Sequence, residues 1–189
     1  NTRLKKFVDE IETVDFSNRR EFKRIVPPII LKQTLHHMNQ IGSNANNILH
    51  FSLKISLYLN WARIYDGLNK NLSYVNGMFA SRILGLDGYF IHNRLSIGQM
   101  LLLPGVTYPF HTHDVAEIYY CLSGSLNIYH GLAGGMTQLT SGNLSITPEG
   151  QLHKLKVNGS EPVLLLYSWV GDLQAPIWIW NKTREEDWE

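Results

Sequence analysis

The chain contains the segment GVTYPFHTHDVAEIYYCLSG at residues 105–124 and the segment GNLSITPEGQLH at residues 142–153. Both consist of short apolar and aromatic runs bounded by glycine, proline, aspartate or asparagine, which is typical of strands joined by tight turns. Together they hold three histidines and one glutamate: His111, His113, Glu117 and His153. Imidazole and carboxylate groups bind Zn, Fe, Mn and Ni, so these side chains form a complete candidate ligand set for one divalent metal.

The spacing of the four residues favours a shared site inside a barrel. Side chains two apart on a strand lie on the same face, so the imidazoles of His111 and His113 can both point inward. Glu117 begins the next strand, and Tyr119 follows on the same face. His153 comes from a strand that is distant in sequence, and a rigid barrel can bring it to the other three.

Strand-like runs continue on both sides of these segments. From residue 78 onward, runs rich in Ile, Leu, Val and Tyr alternate with turn residues, and no helical pattern intervenes. This arrangement predicts an antiparallel sandwich or barrel. Strands are predicted at residues 78–84, 88–93, 95–103, 106–113, 116–122, 125–130, 135–139, 143–147, 151–157, 162–169 and 176–180.

The residues before the barrel carry helical patterns. Apolar residues spaced i, i+3, i+4 and i+7 predict helices at residues 1 to about 20 and at 29–41. Residues 48–65 fit both strand alternation and a helical stripe, and we predict a helix because the segment is too long for a typical strand. We therefore expect three parts: a helical region at 1–75, a β-barrel at 76–181 and a charged tail at 182–189.

Composition and charge exclude several kinds of partner. Lys and Arg number 17 against 16 Asp and Glu, and this net charge of +1 leaves no basic surplus for nucleic acid. No run reaches the roughly 18 apolar residues of a membrane span, and the first residues lack the apolar core of a signal peptide. The single cysteine, Cys121, excludes an internal disulfide and favours the reducing cytoplasm. The expected partner is a small molecule.

The two segments resemble the two motifs of the cupin family. The pattern G-x5-H-x-H-x3-E-x6-G at residues 105–124 matches the first motif at every position, and G-x5-P-x-G-x2-H at residues 142–153 matches the second. The second motif usually continues with Asn four residues after its His, where this chain has Val157, with Asn158 one position later. The resemblance implies a mainly β fold: a double-stranded β-helix or jelly-roll barrel, here with N-terminal helices.

A narrower resemblance covers roughly residues 55–180. The run from residue 104 to 119 and the pattern Y-x-W-x-G-D at residues 167–172 look like the cupin-type dimethylsulfoniopropionate (DMSP) lyases. The segments WARIY at 61–65 and FASR at 79–82 resemble the helical cover and first strands of the longer members. These lyases cleave DMSP to dimethyl sulfide and acrylate. The resemblance therefore implies a carbon–sulfur lyase that uses one divalent metal such as Zn, Fe(II), Mn or Ni.

The implied reaction needs a base and a place for a sulfonium. A base must remove a weakly acidic proton next to a carboxylate, with a metal as Lewis acid. Tyr119 is the first candidate, because it shares a face with Glu117 and because the matching tyrosine has this role in the lyases. Tyr108 is the second candidate. A sulfonium is best held over aromatic faces, and the candidates for this are Tyr108, Trp169 and Trp178.

Two other functions fit the same ligand set. An Fe(II) dioxygenase uses three histidines and one glutamate for oxygen chemistry. A non-catalytic cupin would bind a small molecule, but such proteins commonly lose a ligand, and this chain has lost none. The sequence leaves the metal and the exact substrate open. A homodimer is an expected assembly, because cupins commonly dimerise and exposed edge strands invite pairing.

Overall fold

The structure, a computed structural model, describes residues 2–21, 34, 36, 47–65 and 72–179. These residues include three helices: α1 (Thr2–Ile11), α2 (Asn47–Ser56) and α3 (Ser73–Gly77). They also form the following strands: β1 (Trp61–Arg63), β2 (Met78–Gly85), β3 (Phe90–Ile91), β4 (Leu95–Leu102), β5 (Thr107–Thr112), β6 (Val115–Ser123), β7 (Ser125–His130), β8 (Met136–Thr140), β9 (Leu144–Thr147), β10 (His153–Val157), β11 (Val163–Gly171) and β12 (Trp178–Ile179).

The strands form two sheets. The first has the order β1-β2-β4-β11-β6-β9, with β3 beside β2, and the second has the order β12-β5-β10-β7-β8. Pairing between the described strands is antiparallel except for β2 with β3. From β4 onward the chain passes repeatedly from one sheet to the other, which is the double-stranded β-helix of a cupin barrel. The predicted fold class is confirmed.

The main core lies between the two sheets. Tyr119 and Leu165 from the first sheet and Leu155 and Ile128 from the second belong to one buried cluster. Strand alternation explains this, because every second side chain of each strand points between the sheets. The opposite face of the first sheet is covered by α2, whose Leu53 joins a second buried cluster.

Each of the eleven predicted strands overlaps a strand of the structure. The helix predicted at residues 1 to about 20 is shorter than expected and ends at Ile11. The predicted helix at 29–41 and the charged tail at 182–189 lie outside the described residues, apart from Thr34 and His36. The boundary between helical region and barrel at residue 75 stays a prediction.

The helix predicted at residues 48–65 is wrong in its second half. Helix α2 ends at Ser56, and Trp61–Arg63 forms a strand that pairs with Phe79–Ser81 of β2. The indole Nε1 of Trp61 donates a hydrogen bond of 2.8 Å to the carbonyl oxygen of Ser56. This bond satisfies one of the carbonyls that a helix end leaves unpaired, and the backbone of β1 is satisfied by the sheet.

A buried polar network fixes α2 on the first sheet. The side chain of Gln99 in β4 is fully buried and donates to the carbonyl oxygen of Ser52 at 2.9 Å. The hydroxyl of Ser56 donates to the amide oxygen of Gln99 at 2.5 Å. Because the buried amide has partners for both its oxygen and its nitrogen, it orients the helix without an unsatisfied group. The same helix end positions β1, which forms part of the wall of the cavity described below.

Gly98 in β4 is expected to tolerate no larger residue. A Cβ at this position would lie 2.1 Å from the carbonyl oxygen of Ser81 and 2.6 Å from the hydroxyl of Tyr167. Since Ser81 is held in the sheet, the strands would have to separate. We expect Gly98→Ala to lower the free energy of unfolding by roughly 3 kcal/mol, the upper end of the usual cost of overpacking, as measured by urea denaturation.

The matched control for this glycine substitution is Gly135→Ala. Gly135 has no neighbouring heavy atom within 4 Å of an added Cβ, and its φ lies outside the left-handed region. A change of less than about 0.5 kcal/mol is expected there. Equal stability of the two variants would contradict the close approach of β2 and β4 at Gly98.

Candidate metal centre

The four predicted ligands come together between the sheets. His111 lies near the end of β5, His113 follows that strand, Glu117 lies in β6 and His153 begins β10. His153 stands directly opposite His111 in the pairing of β10 with β5. All four are buried, with 2% or less of each residue exposed. Tertiary packing therefore brings His153 to the other three, as the barrel prediction requires.

The distances within this group suit one small cation. One ring nitrogen from each of His111, His113 and His153 lies within 4.8 Å of the others. The Oε2 atom of Glu117 lies 3.3 Å from Nε2 of His113 and 3.2 Å from Nε2 of His153. Metal–ligand bonds of about 2.0–2.2 Å allow ligand atoms at these separations to surround one ion.

The backbone selects which nitrogen of each imidazole faces the group. In all three rings Nδ1 lies 2.8–2.9 Å from the carbonyl oxygen two residues away, at Pro109, Val115 and Gln151. A carbonyl oxygen only accepts, so each Nδ1 carries the proton and donates it. In a neutral imidazole this leaves Nε2 with its lone pair directed toward the other ligands, which is the form that binds a metal.

The Nε2 atom of His153 gives a direct test of whether a metal fits. This atom is buried and has no hydrogen-bond partner among the described residues, since the nearby Glu117 oxygen is not aligned for one. A buried nitrogen without a partner is costly in a folded protein. A cation bound by the four side chains would satisfy it, so the donor set fits one metal ion.

Electrostatics also favour a cation at this position. Burial opposes the charge of Glu117, but hydrogen bonds and positive charge from His113 and His153 in their protonated forms outweigh burial and lower the pKa of this carboxyl well below its usual range. Burial, reinforced by His153, lowers the pKa of His111 well below 6.5, so this ring is neutral at pH 7. A negative carboxylate beside a neutral imidazole is the protonation state that metal binding requires.

The indole of Trp169 is hydrogen-bonded to Oε1 of Glu117, the carboxylate oxygen that does not face the histidines. The Nε1 atom donates this short hydrogen bond, and β11 places the two residues directly opposite each other. The ring centroid of Trp169 lies 5.0 Å from that of His113. The sequence predicted Trp169 as a substrate-binding residue, and this bond to a candidate ligand was not foreseen, because 52 residues separate the two positions.

We expect Trp169→Phe to weaken metal binding by about 10–100-fold, the usual cost of losing an outer hydrogen bond to a ligand. The phenylalanine keeps the aromatic packing against His113 but cannot donate to Glu117. The dissociation constant for zinc, measured by competition with a chelator, checks this. Trp178→Phe is the matched control and should leave the constant unchanged, because Trp178 is 62% exposed. Equal effects of the two substitutions would argue against orientation of Glu117 by the indole.

A cavity of about 790 Å³ opens beside the candidate ligands. His111 and Glu117 line it, together with Tyr108, Tyr119 and Trp169. The structure thus brings both candidate bases and one of the predicted substrate-binding tryptophans to the same space. Burial, and then the negative charge of Glu117, raise the pKa of Tyr119 well above 10.

Tyr108, which lines this cavity, belongs to a group of packed aromatic rings. It stacks on His111 with ring centroids 3.8 Å apart, and its hydroxyl forms a short hydrogen bond with that of Tyr65. The ring of Tyr74 lies 5.4 Å from Tyr65 and 6.2 Å from Tyr108. The sequence assigned Tyr65 to a helix and so missed it. Burial raises the pKa of Tyr65 to about 12.

Trp178 is not brought to the other predicted site residues. It lies in the edge strand β12 opposite Thr112, is 62% exposed, and is not among the described residues that line the cavity. Its neighbour Ile177 does line the cavity. The prediction that Trp178 binds substrate therefore finds no support in this geometry.

The barrel and the buried His/Glu group define a cupin with a candidate site for one metal ion. The family model described as dimethylsulfoniopropionate lyase matches residues 7–165 of this chain, which is most of its length. The chain belongs to the DMSP lyase family.

Two curated proteins are similar to this chain. Dimethylsulfoniopropionate lyase DddQ of Ruegeria pomeroyi is 28% identical over 120 residues, which cover 62% of this chain and 58% of that protein. The putative dimethylsulfoniopropionate lyase DddL of Cereibacter sphaeroides is 29% identical over 114 residues, 60% of this chain and 46% of that protein. The chain thus matches about half the length of these relatives.

The fold is also similar to that of a solved structure. The crystal structure of DMSP lyase DddQ from Ruegeria pomeroyi superposes with a TM-score of 0.68 at 18% identity, covering 97% of both chains. At this identity the likeness concerns the fold alone. Among the described residues, no helix combines the length and the apolar character needed to cross a membrane.

Proposed function

We propose that this chain is a metal-dependent DMSP lyase that eliminates dimethyl sulfide from DMSP and leaves acrylate. The observation that carries the proposal is the buried group of His111, His113, Glu117 and His153 beside a cavity lined by three buried tyrosines. Membership in the DMSP lyase family supports the choice of substrate.

We propose the four side chains as the ligands of one divalent metal such as Zn, Fe(II), Mn or Ni. When bound, the metal would supply a Lewis acid for the negative charge that develops next to the substrate carboxylate. The protein contributes a rigid ligand set, because each imidazole is fixed through Nδ1 and the carboxylate is fixed by Trp169. Pre-oriented ligands need no rearrangement when the ion or the substrate binds.

Tyr119 is the proposed base. Its oxygen, in the phenolate form that a cation bound nearby would favour, would accept the proton from the carbon next to the carboxylate, while the electrons of that C–H bond form the C=C bond of acrylate. The bond between the neighbouring carbon and sulfur breaks, and sulfur keeps its electron pair and leaves as neutral dimethyl sulfide. The proton on Tyr119 then passes to solvent.

Aromatic rings are the proposed site for the sulfonium. Tyr108, Tyr167 and Trp169 line the same cavity as the candidate base Tyr119. A cation over such a face is stabilised by the ring quadrupole, on the order of 1–2 kcal/mol when desolvated. Trp169 would then have two roles, because its N–H binds Glu117 and its ring would contact the sulfonium.

Gas-phase detection of dimethyl sulfide tests the proposed function. Purified protein is incubated with DMSP with and without Zn(II), Fe(II) or Mn(II), and acrylate is measured in the same samples. We expect dimethyl sulfide and acrylate in equal amounts with at least one metal. Their absence with every metal, or oxygen consumption coupled to loss of the compound, would contradict a lyase.

The cytoplasmic location and a homodimer stay predictions.

A further inference from the structure

The cavity has a second polar end away from the candidate metal ligands, at Arg82 of β2. Four residues form a row across the first sheet: Tyr119 stands opposite Tyr167, Tyr167 opposite Gly98, and Gly98 opposite Arg82. Neighbouring strands lie about 4.8 Å apart, so the backbones of Tyr119 and Arg82 are separated by about 14 Å. The side chains of Tyr119, Tyr167 and Arg82 all line the cavity.

Because Gly98 has no side chain, the side chain of Tyr167 can extend across β4 toward Arg82. A Cβ at Gly98 would lie 2.6 Å from the hydroxyl and 2.7 Å from a ring carbon of Tyr167. The phenol of Tyr167 therefore crosses β4 over the space that a side chain would fill. Its hydroxyl reaches the guanidinium group of Arg82, and the tyrosine is 7% exposed.

Arg82 has an unused hydrogen-bond donor at this end of the cavity. Its Nη1 forms a short ion pair with Asp87, whose side chain is 67% exposed. Its Nε is buried and has no hydrogen-bond partner within the part of the chain that the structure describes. Nε and Nη2 form the edge with which an arginine binds a carboxylate through two parallel hydrogen bonds. The contact with Asp87 is at Nη1, so Nε, which has no partner among the described residues, can still donate to an acceptor.

The charges around Arg82 favour an anion. Arg20 and Arg63 also line the cavity, so three arginines stand against Asp87 and Glu117 among the described lining residues. The chain as a whole has a net charge of only +1, so this local excess of positive charge is not a general property of the surface. Positive groups around a cleft raise the local concentration of anions.

The size and lining of the cavity favour an elongated ligand. Its volume of about 790 Å³ falls within the ~300–1,000 Å³ range of pockets that bury drug-sized ligands, and it greatly exceeds the volume of DMSP. The wall of the cavity also includes the apolar side chains of Ile64, Ala80 and Met100. Such a wall suits a methylene chain with polar groups at its ends.

We propose that Arg82, assisted by Tyr167, is a second carboxylate-binding site, and that the cavity binds linear dicarboxylates with one carboxylate at Arg82 and the other at the metal. The second half of this statement rests on the metal site of the proposed function. DMSP has one carboxylate and can occupy only one of the two ends at a time. Longer dianions would bind as inhibitors or as alternative ligands by bridging both ends.

Calorimetric titration of the zinc-loaded protein tests this site. Succinate, adipate and suberate are each compared with the monocarboxylate of the same chain length: butyrate, hexanoate and octanoate. We expect at least one dicarboxylate to bind tenfold or more tightly than its matched monocarboxylate. The tighter binding of the dicarboxylate should disappear in Arg82→Gln. It should be reduced in Arg82→Lys, which keeps the charge but lacks the two parallel N–H donors of a guanidinium group.

Arg94→Gln is the matched control, because it removes the same charge from an exposed arginine that pairs with Glu10 and is not among the described cavity-lining residues. It should keep the full dicarboxylate advantage. Equal affinity for every pair in the wild-type protein, or an advantage that survives in a folded Arg82→Gln variant, would overturn the proposal. Dicarboxylate binding does not depend on turnover. A protein that releases no dimethyl sulfide but shows the Arg82-dependent advantage would contradict the lyase function and support this site.

Discussion

Tyr119→Phe is expected to lower the rate of dimethyl sulfide release by about 10²–10⁴-fold, the usual contribution of a positioned base, while the metal content stays unchanged. The phenylalanine fills nearly the same buried space but has no oxygen to accept the proton. Tyr119 lies on the cavity wall beside Glu117 and is not one of the candidate metal ligands. Headspace measurement of dimethyl sulfide, together with metal analysis of the same sample, checks both parts of this prediction.

Two further tyrosines make this test specific. Tyr120→Phe is the control, since Tyr120 is adjacent in sequence but packs against the α2 side of the sheet, and it should keep wild-type activity. Tyr108→Phe separates the two candidate bases, because Tyr108 stacks on His111 and its hydroxyl bonds to Tyr65. A full loss in Tyr108→Phe with activity retained in Tyr119→Phe would assign the base to Tyr108.

His153→Ala is expected to abolish specific metal binding, with an affinity loss of more than about 100-fold. Losing a group that is hydrogen-bonded to a metal ligand lowers metal affinity by about 10–100-fold, and this substitution removes a ligand itself. The wild-type protein should gain about 2.7 kcal/mol of stability at a zinc concentration 100 times the dissociation constant, whereas the variant should gain little at the same concentration. Thermal unfolding with and without zinc measures the difference, and dimethyl sulfide release should fall with it.

His130→Ala is the matched control for His153→Ala. His130 stands opposite His153 in the pairing of β7 with β10 but does not belong to the group of candidate ligands. It should keep the stabilisation by zinc. The same response to zinc in His153→Ala as in the wild-type protein would show that the four side chains do not hold the ion.

The strands could be predicted from residue order because the information is local. Alternating apolar residues and the turn residues between them mark each strand from residue 78 onward, and every predicted strand overlaps one in the structure. Residues 48–65 show where this method fails. Their pattern fits both a helix and a strand, and the pairing of Trp61–Arg63 with β2 decides for a strand at these three positions.

The candidate ligands could also be identified from motif spacing, because two histidines two residues apart share a strand face wherever the strand lies. Contacts between distant segments could not be identified from the sequence in this way. The bond from Trp169 to Glu117, the position of Trp178 outside the cavity, and the row from Tyr119 to Arg82 all depend on how strands register across the sheet. A shift of one residue in that register would turn each side chain to the opposite face.

Residue order therefore specifies the strands, their turns and the identity of four candidate metal ligands, since each is marked by the residues around it in the sequence. Strand register and the packing between sheets specify which indole orients Glu117, which phenols face the cavity and which arginine closes its far end. Those features join residues tens of positions apart, and their geometry exists only once the two sheets have paired and packed.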